Sequence, residues 1–310
     1  MNRAHGHRGE GHAHAVGTDA DQRYLVIALL LLAAFMLAEV VLAFASGSLV
    51  LLSDAGHMLT DVGAIAGSLW AIQLAARPAA GAWTYGWKRA EILSAAANGI
   101  TLLVVSGIIA FEAIRRLINP SPVDGTAILV VAIIGVVVNL VATWVLAKAN
   151  RSSLNIEGAY QHILTDLYAF LGTVIAAVII MTTGYVRADS IAALVVVWLM
   201  LRAAWGLLRD SGRVLLEAAP EGIDLDEIKS HLLQTEHVHD VHDLHVWTLT
   251  SNLPTLSAHV VIDDSCFTDR HAPELLDMLQ GGLIGHFGVE HSTFQLEPTS
   301  HVSHEAGAHP

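Results

Sequence analysis

The first two thirds of the chain alternate between six long apolar stretches and short polar ones. Each stretch, folded as an α-helix, is long enough to cross the roughly 30 Å hydrocarbon core of a bilayer. The stretches are 24–44, 49–75, 90–114, 126–147, 158–181 and 188–208. The pattern therefore predicts an α-helical membrane domain with six transmembrane helices over residues 23–208.

The hydrophobic pattern changes after residue 208. Residues 225–234 and 272–286 have helical periodicity, while 241–250, 255–262 and 292–296 alternate like strands. The order α-β-β-α-β predicts a small two-layer α+β domain over residues 209–298. The His-rich ends, residues 1–22 and 299–310, have a composition that favours disorder.

Composition supports a membrane protein with an acidic soluble part. The chain is 54% hydrophobic and 15% charged, whereas soluble domains carry about 25% charged residues. From residue 209 onward there are 17 acidic and 4 basic residues, which account for the net charge of −13. Such a domain attracts cations and excludes nucleic acid as a partner, although the acidity also serves solubility.

Lys and Arg residues between the stretches predict the topology. Six spans place both termini on one side of the membrane, and most basic residues flank the ends that share that side. Because cytosolic loops are enriched in Lys and Arg, both termini are predicted to be cytosolic. Arg115 and Arg116 oppose this assignment.

A short motif occurs twice inside the apolar stretches. His57 and Asp61 are four residues apart, as are His162 and Asp166, so each pair lies on one face of its helix. Ionisable side chains within a membrane are costly and mark functional sites. Two imidazoles and two carboxylates can form a tetrahedral Zn²⁺ shell. The pairs meet only if the fifth helix is displaced outward or begins earlier, near Ser153.

Other polar residues within the stretches leave alternatives open. Asp54 precedes His57 by about one turn and acts either as a proton relay or as a helix cap. A further set either lines the ion path or holds the helices together through hydrogen bonds. The set comprises Glu39, Asn98, Glu112 and Asn139.

The repeated motif predicts transport of a divalent metal coupled to protons. Metal requires neutral imidazole and ionised carboxylate, so protons and Zn²⁺ compete for the same atoms. No G-x-x-x-x-G-K-[ST] motif offers nucleotide binding as an energy source. The alternatives are a membrane-bound metal sensor and an intramembrane metallohydrolase. The hydrolase needs an open coordination position, which four side-chain ligands would fill.

Four stretches together resemble a known family. They are 48–61 (SLVLLSDAGHMLTD), 85–91 (YGWKRAE), 162–166 (HILTD) and 241–247 (VHDLHVW). The chain is similar to cation diffusion facilitators, in particular to bacterial zinc exporters with His-Asp pairs on both helices. The resemblance implies a homodimer in the inner membrane that exchanges Zn²⁺ for H⁺, with Cd²⁺ or Co²⁺ as further substrates. It assigns the transport site to His57, Asp61, His162 and Asp166.

The resemblance also implies a metallochaperone-like cytosolic domain with a zinc site of its own. The matching positions are His242, His259, His271 and Glu297, with Gln295 at one family ligand position and His291 as a replacement. Without the family match these histidines would be interpreted as surface residues.

Two further expectations come from the resemblance. Arg89 and Glu217 match positions that form a salt bridge at the domain junction of some relatives. Trp83 and Trp87 stand where other relatives carry loop histidines, so no metal is expected at that loop.

Overall fold

The protein is described by a computed structural model that covers residues 15–46, 49–120, 125–149, 151, 153–251 and 253–301. The side chains of 15–21, 42, 43, 45, 46, 49–57, 60, 125, 127 and 128 lie outside this description. The chain forms two compact units, Met1–Arg209 and Asp210–Pro310.

Six long helices form the first unit and confirm the predicted helical membrane architecture. They are α1 (Ala15–Ser46), α2 (Leu49–Ala75), α3 (Ala90–Ile118), α4 (Gly125–Leu146), α5 (Leu154–Thr183) and α6 (Arg187–Leu215). Helix α1 begins inside the predicted disordered tail. The apolar pattern marks only the part of a helix that lies in the hydrocarbon core of the membrane. The helical backbone hydrogen bonds continue past the end of that apolar part.

The surface of this unit is apolar, as a lipid-facing surface must be. Among the described residues, five helices are long and apolar enough to cross a membrane, and the segment Asp61–Ala75 of α2 is apolar but shorter. Large side chains such as Leu30, Phe111, Trp144 and Trp205 are exposed. The protein is therefore a multi-pass membrane protein.

Three apolar clusters of described residues pack the interior of the bundle. The first joins α1, α2, α4 and α5 through residues such as Leu32, Ile65, Leu146 and Ile163. The second joins α3 and α6 around Leu102 and Met200, and the third joins α5 and α6 around Ile180. The first cluster places α2 beside α5, and these two helices carry the repeated motif.

Helix α5 begins early enough to bring the two motifs together. Its N-cap is Ser153, whose hydroxyl accepts a hydrogen bond from the backbone N–H of Ile156. Gly184 ends the helix with a φ of 72°, a conformation that glycine adopts without strain. Glu157 in the first turn is partly sheltered and pairs with Arg151 at 2.7 Å.

The second unit contains the predicted α+β domain. It consists of α7 (Leu225–Leu233), β1 (Val238–Thr248), β2 (Pro254–Ile262), α8 (Asp264–Thr268), α9 (Ala272–Phe287) and β3 (His291–Pro298). Strands β1 and β2 are antiparallel, and β2 and β3 are parallel. Only the five-residue helix α8 was not predicted. One core packs α7 and α9 against the sheet through Ile228, Leu232, Leu256 and Leu275.

Candidate metal sites

Three ligand-type side chains of the repeated motif meet inside the membrane unit. Asp61 lies on α2, and His162 and Asp166 lie one turn apart on α5. Each offers one ligand atom, and these atoms lie within 4.8 Å of one another. Nε2 of His162 is 2.6 Å from Oδ1 of Asp61 and 3.9 Å from Oδ2 of Asp166. Two separate helices thus contribute to one group.

The short contact between His162 and Asp61 limits what can occupy the group. A nitrogen and an oxygen 2.6 Å apart are at hydrogen-bond distance, an arrangement in which the imidazole N–H donates to the carboxylate. Ligands about 2.0 Å from a tetrahedral Zn²⁺ ion lie roughly 3.3 Å apart. A zinc ion therefore fits between these atoms only if the proton leaves and the helices separate slightly.

The group is buried, and the described residues one turn to either side of Asp61 are apolar. Asp61, His162 and Asp166 are 1%, 3% and 8% exposed. Met58 and Ile65, one turn before and after Asp61, are also buried. The Nδ1 atom of His162 has no hydrogen-bond partner among the described residues. In such surroundings the charges of imidazole and carboxylate have to be balanced locally.

Two residues predicted at this site have side chains that lie outside the described part of the structure. The backbone of His57 is part of α2, one turn before Asp61, and Asp54 lies one turn before His57. The side chains of both are among those not described. Their assignments as fourth ligand and as proton relay or cap stay predictions.

A second group of metal-binding side chains lies on the sheet of the soluble unit. His242 on β1 is the cross-strand partner of His259 on β2, and Glu297 lies on the neighbouring strand β3. Their ligand atoms lie within 4.8 Å of one another. Glu297 approaches Nδ1 of His259 at 2.9 Å and Nε2 of His242 at 3.5 Å. Two nitrogens and one oxygen suit a zinc ion.

Two residues beside this group make contacts with it that the sequence did not predict. Gln295 donates a hydrogen bond from Nε2 to Oε1 of Glu297 at 2.6 Å and so orients the carboxylate. Asp243 approaches Nε2 of His259 at 3.8 Å. Asp243 has a φ of 49° and lies where the pairing of β1 with β2 is irregular. Sequence alone gives no signal for such a bulge.

The structure places two other histidines of the predicted soluble site, His271 and His291, outside the group formed by His242, His259 and Glu297. His271 immediately precedes α9, and its ring lies 5.6 Å from that of His237 rather than within the group. His291 begins β3 and is exposed. It lies six residues before Glu297 on the same strand, about 20 Å away. The α8–α9 connection and the extended strand carry both histidines away from the group.

A surface cluster lies at the other end of β1. Asp263 accepts hydrogen bonds from Nε2 of His239 at 2.7 Å and from Nδ1 of His237 at 2.9 Å. These two bonds, that from His239 first, hold the pKa of the Asp263 carboxyl below its usual value. The cluster joins the start of β1 to the end of β2.

The remaining predictions concern the loop after α2 and the domain junction. Trp83 and Trp87 stack with ring centroids 4.1 Å apart, and the absence of metal from this loop stays a prediction. Arg89 and Glu217 belong to different units, and their salt bridge also stays a prediction.

Two family models cover most of the chain. Residues 25–216 match the cation efflux transmembrane domain, and residues 220–299 match the cytoplasmic domain of cation efflux proteins. A solved structure, the metal-bound C-terminal domain of the CzcD transporter from Cuprividus metallidurans, is 37% identical over 24% of this chain and 99% of that chain, with a TM-score of 0.22.

Full-length relatives match almost the whole chain. A cadmium, cobalt and zinc/H(+)-K(+) antiporter of Bacillus subtilis is 38% identical over 94% of this chain and 93% of its own length. Zinc transporter ZitB of Escherichia coli is 38% identical, with 94% coverage of both chains. Metal cation efflux system protein CzcD of Cupriavidus metallidurans is 41% identical over 93% of this chain and 90% of its own. The chain belongs to the cation efflux family, whose members are metal transporters rather than enzymes.

Proposed function

We propose that the protein exports Zn²⁺ from the cytosol across the bacterial inner membrane in exchange for protons, with Cd²⁺ and Co²⁺ as further substrates. The observation that carries this proposal is the buried contact of 2.6 Å between His162 and Asp61. The names of the relatives support the same ions and the exchange with H⁺.

The exchange takes place at Nε2 of His162. In this proposal, the contact between this nitrogen and Asp61 holds a proton when no metal ion is bound. When Zn²⁺ arrives, the imidazole gives up that proton and both aspartates bind as carboxylates. When protons return from the opposite side, they neutralise the same atoms and release the ion. Because both cargoes use one set of atoms, they are transported alternately and not together.

His57 completes the set of ligands in this proposal. Its backbone lies one helical turn before Asp61, and residues four apart share a helix face. Three ligand-type side chains already lie together, and zinc in a closed site takes four. A complete shell without a bound water suits a carried ion and leaves no open position for hydrolysis.

The predicted topology gives the orientation of the protein in the membrane. The Lys and Arg distribution supports cytosolic termini, and the apolar outer surface supports direct contact with membrane lipid. The match of residues 220–299 to the cytoplasmic domain of the family supports the same side and a homodimer. In the soluble unit, we propose that His242, His259 and Glu297 bind zinc without carrying it.

Reconstituted liposomes test the function. Full-length protein is reconstituted, a pH step is applied, and zinc entering the lumen is followed with a trapped dye. Zinc flux should depend on the pH step, and each zinc movement should be matched by proton movement in the opposite direction. His162→Ala should abolish the flux.

Two results would contradict the proposal. Zinc binding without flux would identify a sensor. Wild-type flux in His162→Ala would show that the ion binds elsewhere.

A further inference from the structure

A buried polar layer joins α2, α3 and α5 two helical turns away from the membrane metal site. Nδ2 of Asn155 donates a hydrogen bond to the backbone carbonyl of Ser68 at 2.8 Å. Nδ2 of Asn98 donates to the hydroxyl of the same serine at 3.1 Å. Ser68 and Asn155 are fully buried, and Asn98 is 5% exposed. These three residues are called the inner polar layer.

The register of the helices places this layer directly below the metal ligands. Ser68 follows Asp61 by seven residues, and Asn155 precedes His162 by seven. Seven residues are two turns, or about 10 Å, and return to the same helix face. Helices α2 and α5 therefore touch twice along one seam, at Asp61 with His162 and at Ser68 with Asn155.

The layer lies on the side of the site where α2 ends and α5 begins. Under the proposed function, on which this inference rests, that side faces the cytosol. An ion that reaches His162 along the seam between α2 and α5 has to pass Ser68 and Asn155. Carboxylates lie at the start of that route, since Glu91 contacts Ser153 at the N-cap of α5 and Glu157 lies one turn further along.

The polar side chains of the inner polar layer can separate and come together again repeatedly. Amide and hydroxyl groups that lose their bonds to each other can bond to water instead, so separation exposes no apolar surface. The Oδ1 atom of Asn155 is buried and has no hydrogen-bond partner among the described residues. Carbonyl-type oxygens of this kind replace water around a hard or borderline cation.

Another buried asparagine shows that burial alone does not produce this arrangement. Asn139 on α4 is also fully buried, but its Nδ2 donates to the carbonyl of Gly135 in the same helix. Its hydrogen bond crosses no helix boundary and cannot hold α2 to α5. Asn139 is therefore a matched control for residue type, burial and location in the membrane unit.

We propose that Ser68, Asn98 and Asn155 form the cytosolic gate of the transport site and that Asn155 is the positioning residue that closes it. While its amide binds Ser68, α2 and α5 stay together and the ion cannot pass. When the bond breaks, the oxygens of Asn155 and Ser68 face a hydrated divalent cation on its way to Asp61 and His162.

The rate of metal binding tests the gate. Full-length protein in detergent is mixed with Zn²⁺ in a stopped-flow instrument, and free zinc is followed with a dye. The part of the zinc-binding signal that is lost in Asp61→Ala is assigned to the transport site. Asn155→Ala, which removes the hydrogen bond without adding a large apolar side chain, should raise its association and dissociation rates together by about tenfold, the factor that one ordinary hydrogen bond gives. Its Kd should stay within about threefold of the wild-type value.

Further variants keep the test decisive. Ser68→Ala keeps the carbonyl that Asn155 binds and removes the acceptor of Asn98, so it should raise both rates by about threefold. It also serves if Asn155→Ala does not fold. Asn139→Ala should leave the rates unchanged.

The gate is overturned by wild-type rates in a folded Asn155→Ala protein, or by equal acceleration in Asn139→Ala. A large loss of affinity without faster association would also overturn it, since the layer would then hold the ligands. Failure of the proposed function gives a different result, because Asp61→Ala would then still bind zinc normally.

Discussion

The membrane and soluble groups combine the same kinds of side chain in different surroundings. His162 is 3% exposed and lies between two carboxylates in a unit with an apolar outer surface. The soluble group lies on the sheet of the α+β domain, where His242 and Glu297 are 9% and 1% exposed and the side chain of His259 is 22% exposed. Under the proposed function, the membrane group holds either protons or a metal ion, because unbalanced charge inside a bilayer is costly. That cost makes the proposed exchange obligatory.

The two groups also differ in the elements that carry them. Asp61 and His162 lie on different helices whose separation can change by a small movement. His242, His259 and Glu297 lie on three neighbouring strands, and backbone hydrogen bonds fix the strand spacing at about 4.8 Å. A site on movable helices can release its ion to either side. A site on one sheet is suited to binding a metal ion in place.

Loss of a membrane ligand should have the largest effect. Asp61→Ala should lower zinc flux in liposomes at least 100-fold, because removing a ligand costs more than the roughly 10- to 100-fold loss typical of an outer partner. Glu112→Ala is the matched control. This carboxylate lies on α3 and pairs with Arg116 at an exposed position, so its flux should stay within about twofold of wild type. Equal losses of zinc flux in the two variants would contradict the assignment of Asp61, rather than any carboxylate of the membrane unit, as a metal ligand.

Loss of the soluble carboxylate should change binding more than transport. Glu297→Ala should reduce bound zinc by one ion per chain in equilibrium dialysis, because only His242 and His259 remain. Its flux should fall by no more than about threefold, since the membrane ligands are intact. Glu290→Ala, which alters an exposed carboxylate just before β3, should change neither quantity. A 100-fold loss of flux in Glu297→Ala would make the soluble group part of the transport path.

The Asp263 cluster should give the soluble unit a small pH-dependent stability. The depressed pKa of Asp263 means that its ionised form stabilises the fold above its usual value of 3.8, and that this contribution disappears as pH falls through the lower folded pKa. Asp263→Asn should therefore destabilise the unit at pH 7 and have no effect at sufficiently low pH.

Cys266 provides the measurement, because it is the single cysteine and is buried. Its reaction with a thiol reagent at pH 7 should be about threefold faster in Asp263→Asn, the effect expected of an exposed pair. In Asp277→Asn, a change on the exposed face of α9, the rate should not change. Since thiolate reactivity is lost in acid, urea unfolding should supply the comparison below pH 4. A stability difference between Asp263→Asn and wild type that persisted below pH 4 would contradict the link between stability and the ionisation of Asp263.

The two histidines excluded from the soluble group should have the smallest effect. His271→Ala and His291→Ala should each retain full zinc stoichiometry, because their rings lie away from Glu297. His242→Ala serves as the positive control and should lose the soluble zinc ion. Loss of that ion in His271→Ala would restore the set of ligands that the sequence predicted.

Periodicity and motif spacing predicted most of the architecture. The six helices and the α+β domain follow from apolar stretches and alternating strands, because burial in hydrocarbon or against a sheet imposes those periods on the sequence. The spacing of four residues likewise placed His162 and Asp166 on one face, since helical geometry is local. The sequence also indicated that the two motifs meet only if α5 is displaced outward or begins earlier, near Ser153.

Contacts between distant segments required the tertiary structure. That Asp61 approaches His162 at 2.6 Å, that Ser68 meets Asn155, and that His271 lies apart from His242 all depend on how separate elements pack. The sequence by itself determined which side chains share an element and a face. Only the fold decided which of them meet, because packing of the whole chain, and not local hydrogen bonding, fixes the distances between helices and strands.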